Sequence, residues 1–567
     1  MTRRLALLGA AAAFALTPLA ALAERGDSGH LNIIYWQAPS IMNPYLSGGT
    51  KDVEAASIVL EPLARFDETG ALVAWLAESV PTVENGGVSE DLMSITWTLR
   101  EGLLWSDGTP VTSADVAFTA QYCMDPAGGC AQLRQFADVE SVEVIDARTV
   151  TVHFSVPKPV PYGPFVSMAA PIIQAAQFAE CLGPRAPECT EANFSPIGTG
   201  AFRVTEFRPN DVITFEANPN YRDPALPHFA TLTFKGGGDA ASAGRAVMET
   251  GEMDYAWNLQ LAPDVIAQMA LGGRGVPIAA FGTTVERIEV NQTNPSANLP
   301  AETRSTDAEP HPILSDIRVR HALSLSIDRA LLVEIGYGQA GRPTCNIVPA
   351  PAIFVSTAND ACLVQDMDGA RALLDEAGWV PGPDGIRVKD GVRLVIDYQT
   401  STNAVRQDFQ ALIQQWWREI GIEANLRNIN ASVFFGGDPG SPDTFQKFYA
   451  DVQMYANNFT GTDPEQYLGA WRCSLTPRPS TQWQGENIPR FCDPAYDAMH
   501  ALLGQTANIE ERGRIGRELN DLLMQSFVVI PLVDRGRVDA HANSLAGVLL
   551  NNWDSGLWNI ADWHRIQ

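Results

Sequence analysis

Eight cysteines fall in four close pairs along the chain: Cys123 with Cys130, Cys181 with Cys189, Cys345 with Cys362 and Cys473 with Cys492. Sequence leaves their connectivity open, and bonding between neighbours is the simplest pairing. Each such bridge would pin a short surface loop, with roughly 2–3 kcal/mol of stabilisation. No C-x-x-C is present, and no histidine stands at ligand spacing beside a cysteine, which disfavours a zinc site.

The N-terminus agrees with an oxidising destination. Arg3 and Arg4 precede the apolar run Leu5 to Leu16, and Ala21-Leu22-Ala23 is an A-x-A cleavage site. This is the pattern of a cleaved secretory signal peptide over residues 1–23. The apolar run is shorter than the roughly 20 residues a spanning helix needs. The mature chain is therefore expected in the periplasm. Its formal net charge of -27 argues against nucleic acid, whose phosphates need clustered Lys and Arg, and suits a dispersed, soluble monomer.

Length implies more than one domain at roughly 150 residues each. Strand and helix patterns alternate without a fixed repeat, as in α/β proteins. His30 to Trp36 reads as a buried strand, and Ile95 to Arg100 as an alternating one. Thr112-Ser113-Ala114-Asp115 is a capping box opening a helix. Val142 to Ile145 and Val150 to Phe154 form a hairpin around Asp146 to Thr149. From Asn403 to Ile420, Val405, Phe409, Leu412, Ile413, Trp416 and Ile420 share one helical face, and Gly421 follows as a left-handed cap. Asp368 to Glu376 and Glu510 to Gln525 are further amphipathic helices. Trp416 and the C-terminal Trp553, Trp558 and Trp563 are read as core, and His321 as structural.

Several segments resemble the bacterial extracellular solute-binding proteins of family 5, the peptide-, oligopeptide- and nickel-binding group. They are Trp97 to Phe118 (WTLREGLLWSDGTPVTSADVAF), Pro196 to Asp223, Met248 to Trp257 (METGEMDYAW), Ile313 to Ala340, Ala372 to Trp379 and Trp417 to Ile422. They occur in family order across nearly the whole mature chain. The resemblance implies a two-lobed α/β periplasmic-binding fold with a hinged interlobe cleft. Lobe I would comprise 24–62, 195–280 and 530–567, with an inserted domain over 63–194, and lobe II 281–529. It implies capture of a peptide or other small solute by lobe closure and delivery to the membrane permease of an ABC importer, without a cofactor.

The same resemblance indicates ligand contacts. Gly48, Gly49 and Thr50 fall on the family's ligand-backbone strand, where glycine permits close backbone approach. Family peptide binders place an aspartate four residues before a lobe II proline. In the run Asn457, Asn458, Phe459, Thr460, Gly461, Thr462, Asp463, Pro464, that position holds Thr460. The dipeptide binders' arginine position holds Thr400, ahead of Thr402 and Asn403. With both charged anchors absent, the cleft is expected to suit a neutral ligand such as an oligosaccharide, a sugar conjugate or a backbone-gripped peptide, with Asp463 as a shifted acid. A metal chelate is a further alternative.

No G-x-S-x-G elbow, G-x-x-x-x-G-K-[ST] loop or H-E-x-x-H helix occurs. Gly236-Gly237-Gly238 lacks the lysine of a nucleotide cradle. The chain is expected not to be an enzyme; the rival from another class is a secreted carboxylate-dependent hydrolase.

Overall fold

The computed structural model describes residues 25–566, so the expected signal peptide lies outside the described residues. Two mixed sheets organise the molecule. The first has seven strands in the order Gly275–Ala280, Arg537–Ala542, Tyr255–Ala256, His30–Tyr35, Thr231–Gly236, Val212–Ala217 and Phe202–Arg208. His30–Tyr35 lies inside this sheet, parallel to Thr231–Gly236 with Ile33 opposite Phe234. Its run of buried residues suits a strand covered on both faces. Tyr35 stacks on Trp257 with ring centroids 4.6 Å apart.

The second sheet orders Gly341–Pro343, Val529–Arg535, Val285–Val290, Val452–Asn457, Val395–Ser401 and Glu423–Ile429. Val395–Ser401 and Glu423–Ile429 are parallel, and the helix Ala404–Glu419 makes the crossover between them, as parallel strands require. Asn403 caps this helix by accepting from the Arg406 amide at 3.0 Å. Val405, Phe409, Ile413, Trp416 and Ile420 are buried and Leu412 is half-buried. Gly421 follows with a positive φ.

A third core gathers residues from Tyr45 to Ala192 around the antiparallel strands Ser94–Thr98, Thr149–Phe154 and Val139–Val144. The predicted hairpin is present, as is the capping box: the Thr112 amide donates to Asp115 at 2.9 Å. Trp563 is fully buried and Trp553 and Trp558 half-buried. His321 stacks on Phe527. All four neighbouring cysteine pairs are bonded.

The two large sheets are joined at a narrow waist. One crossing runs from Gly275–Ala280 through residues 281–284 to Val285–Val290. The other runs from Val529–Arg535 through Gly536 to Arg537–Ala542. The crossings lie side by side: Ala280 faces Arg537 in one sheet and Val285 faces Asp534 in the other. Residues 530–535 therefore pair in the second sheet, and the chain changes sheets at Gly536. Strand Val529–Arg535 is central hydrogen-bonding partner to Val285–Val290, and local sequence carries no mark of which sheet it joins.

Candidate functional site: the groove between the lobes

The groove is closed, and polar contacts cross it. Gln260 of the first lobe accepts from Asn403 of the second, and Ser432 donates to the Ala38 carbonyl at 3.3 Å. Gly461 donates to the Trp553 carbonyl at 2.7 Å. Lys158 in the three-stranded body pairs with Glu465 at 2.7 Å. The chamber enclosed beside the waist measures about 90 Å³, less than the roughly 300–1,000 Å³ of a typical ligand pocket. Entry of a solute into this inner chamber therefore requires the lobes to part. Next to it, a wider chamber of about 640 Å³ is lined by Trp36, Leu261, Thr402, Asn403, Gln407 and Asn430.

The candidate contact residues separate into three sets. Gly48, Gly49 and Thr50 line the inner chamber from one wall, and Asn457 and Asn458 from the other. Gly48 and Gly49 are not part of a strand; they are the link before the helix Thr50–Ala56. A Cβ on Gly49 would sit 3.1 Å from the Phe435 carbonyl oxygen, so the close backbone approach there is to the opposite wall. Thr402 and Asn403 line the wider chamber.

Three residues stand elsewhere. Thr400 is fully buried within its sheet and donates to the Met454 carbonyl at 2.6 Å. Thr460 lies 3.3 Å from Ser167 across the interface of two bodies, and it lines neither chamber. Asp463 is held by both arms of Arg512, at 2.9 and 2.8 Å. That bidentate pair occupies both its oxygens, which overturns the idea of a shifted ligand acid. The partner, Arg512, lies on a distant helix and has no sequence link to the Asp-Pro turn.

The expectation of a groove without fixed charge is also corrected. Lys51, Glu54, Arg406, Arg535, Arg537 and Asp554 all line the inner chamber. Arg537 pairs with Glu54 at 2.5 Å and with Asp539 at 2.8 Å. Burial pulls its pKa down, but Asp539 and Glu54 outweigh this and hold the guanidinium well above its usual range. Arg406 donates to Glu286 at 2.7 Å and to Ser401 at 2.8 Å. Lys51 pairs with Asp52 at 2.8 Å. Asp554 accepts from the amides of Met168 and Ser555 at 2.8 and 2.9 Å. Burial raises its pKa, with Arg65 and these amides opposing. Trp257 and Tyr455 supply aromatic surface. Asn258 adopts a left-handed conformation (φ 52), which asparagine tolerates better than most residues. Its amide bonds Asp539 at 2.7 Å and its carbonyl accepts from the Trp36 indole at 2.9 Å.

Trp257 closes a family-like segment, and Arg406 falls on the predicted helix; both were within reach of sequence reading as groove residues. Glu54, Asn258, Arg535 and Arg537 carry no local signal.

Among the described residues, no group of three or more His, Cys, Asp or Glu is placed to hold a metal ion, and no helix is long and apolar enough to cross a membrane.

Two lobes joined by paired crossings, with a polar groove shut between them, define a solute-binding protein of the hinged, periplasmic-binding type. The chain belongs to the bacterial extracellular solute-binding proteins, family 5, whose model matches residues 71–476. The glutathione-binding protein GsiB of Escherichia coli (strain K12) is 23% identical over 512 residues, covering 89% of each chain. The oligopeptide-binding protein AppA of Bacillus subtilis, solved with a nonapeptide, superposes at a TM-score of 0.80 with 18% identity, covering 96% of this chain and 100% of that one. NikZ of Campylobacter jejuni, solved with Ni(L-His), gives 0.77 at 20% identity and 95% and 100% coverage.

Proposed function

We propose that this chain captures a peptide or peptide-like solute outside the cytoplasmic membrane and presents it, lobes closed, to an ABC-importer permease. The carrying observation is the groove itself. Gly48, Gly49 and Thr50 face Asn457 and Asn458 across a chamber that opens only if the waist at 281–284 and Gly536 flexes. A solute touching both walls favours the closed state in proportion to the contacts made only there. Lobe I comprises residues 24–62, 195–280 and 536–567 in this reading, the inserted domain 63–194 and lobe II 281–535. The protein acts as a monomer in the periplasm and is not an enzyme. The relatives named for glutathione and oligopeptide binding support a peptide-like ligand over an oligosaccharide.

Thermal shift and tryptophan fluorescence against glutathione and pooled di- to nonapeptides test this. We expect at least one pool to raise the melting temperature and to be recovered uncleaved. Silence with every peptide, or a cleaved product, would count against the proposal.

A further inference from the structure

Five of the six charged side chains lining the inner chamber are engaged by close, hydrogen-bonded neighbours. Lys51 bonds both oxygens of Asp52 at 2.8 Å. The carboxylate of Glu54 accepts from Tyr35 at 2.8 Å and pairs with Arg537. Arg537 is also held by Asp539, and Asp554 accepts from the backbone amides of Met168 and Ser555 at one oxygen and of Phe66 at the other. Arg406 takes both oxygens of Glu286, at 2.7 and 3.2 Å.

Arg535 is held more loosely than the others. Its nearest acid is that same Glu286, already committed to Arg406; the Nε to Oε2 distance is 3.5 Å without a hydrogen bond. Nη1 donates to Asn258 at 3.0 Å. Nε is buried with no hydrogen-bond partner among the described residues. Two guanidinium groups thus share the Glu286 carboxylate, and Arg535 is the one left with an unmade donor beside the chamber. A buried donor of this kind is unfavourable while unmade, and a planar carboxylate is the group that matches a guanidinium fork.

We infer that Arg535 is the receptor for a carboxylate of the ligand, and that recognition of the anion sits at the hinge and not at the Thr400 position. Arg535 ends the last strand of the second lobe, one residue before the crossing at Gly536, and its bond to Asn258 reaches the first lobe. A carboxylate added there joins the two lobes at the point where they pivot. This rests on the solute-binding reading and specifies its ligand class: a small solute with a free carboxylate, such as an unblocked peptide.

The test uses acetate as the probe, on the full mature chain at constant ionic strength with chloride as reference. The melting temperature of the wild type is expected to rise saturably with acetate. Arg535→Gln is expected to abolish the rise. Arg535→Lys keeps the charge but loses the fork, and is expected to weaken acetate at least tenfold; it serves also if the glutamine variant folds poorly. No acetate effect in the wild type, or an unchanged effect in either variant, overturns the inference. A second arm compares pooled tripeptides with free and with amidated C-termini. Preference for the free acids that vanishes in Arg535→Gln supports the assignment. Equal binding of both pools sinks Arg535 but leaves peptide capture standing. An acetate response without any response to peptides sinks peptide capture instead.

Discussion

Lys158 in the three-stranded body and Glu465 in the second lobe form an ion pair at 2.7 Å with side chains only 6% and 5% exposed. Burial alone would raise the Glu465 pKa, but Lys158, His500 and Arg512 outweigh it and hold the carboxylate below its usual range. The pair joins the two bodies across the closed interface, so it is expected to latch the closed form. Lys158→Met leaves Glu465 with Arg512, 3.4 Å away. We expect a loss of about 1–3 kcal/mol, below the full cost of an orphaned buried charge. Small-angle scattering of the ligand-free variant should show a larger radius of gyration; an unchanged radius would mean the latch does not hold the lobes.

Closure also depends on Gly461. Its φ is 74°, and a Cβ there would lie 2.5 Å from the ring of Phe66 on the opposing body. Gly461→Ala combines a strained backbone with an obstructed interface. Peptide affinity should fall about tenfold or more, equivalent to at least ~1.4 kcal/mol, with far-UV circular dichroism unchanged. Wild-type affinity would show that the two surfaces do not need to meet.

Asp534 gives a pH signature at the waist. Burial pushes its carboxyl up to about 6, with Arg342 partly opposing, and its Oδ1 is buried without a hydrogen-bond partner. Because the folded pKa is raised, the folded state binds the extra proton between the ordinary value of 3.8 and about 6. The stabilisation is complete below that window and is lost as pH rises through it. Asp534→Asn should therefore be more stable than the wild type at pH 7.5, by about 3 kcal/mol, and close to it near pH 4. Denaturant titration at the two pH values checks this; a variant less stable at pH 7.5 would refute the sign.

Thr460→Asp places an acid where the family resemblance implies one. Thr460 contacts Ser167 and lines neither chamber, so no gain in free-peptide affinity is expected. A half-buried carboxylate placed there should instead cost about 1–2 kcal/mol of stability. Calorimetry showing tighter peptide binding in the variant would return Thr460 to the ligand site.

What the residues dictated locally was legible before any tertiary structure. The Ala404–Glu419 helix, its Asn403 cap and the glycine after it follow from a 3.6-residue period and end chemistry that need no distant partner. The same holds for the Asp115 capping box, and for the disulfides, whose cysteines are close in sequence. The ordered family-like segments conveyed the architecture. Long-range partners decided the rest. Asp463 read as available until Arg512 closed on it. The groove read as neutral because Asn258, Glu286, Arg406 and Arg535 are scattered along the chain. Only the two crossings and the shut lobes bring them together, and no local periodicity encodes which strand joins which sheet or which charge finds a counter-ion.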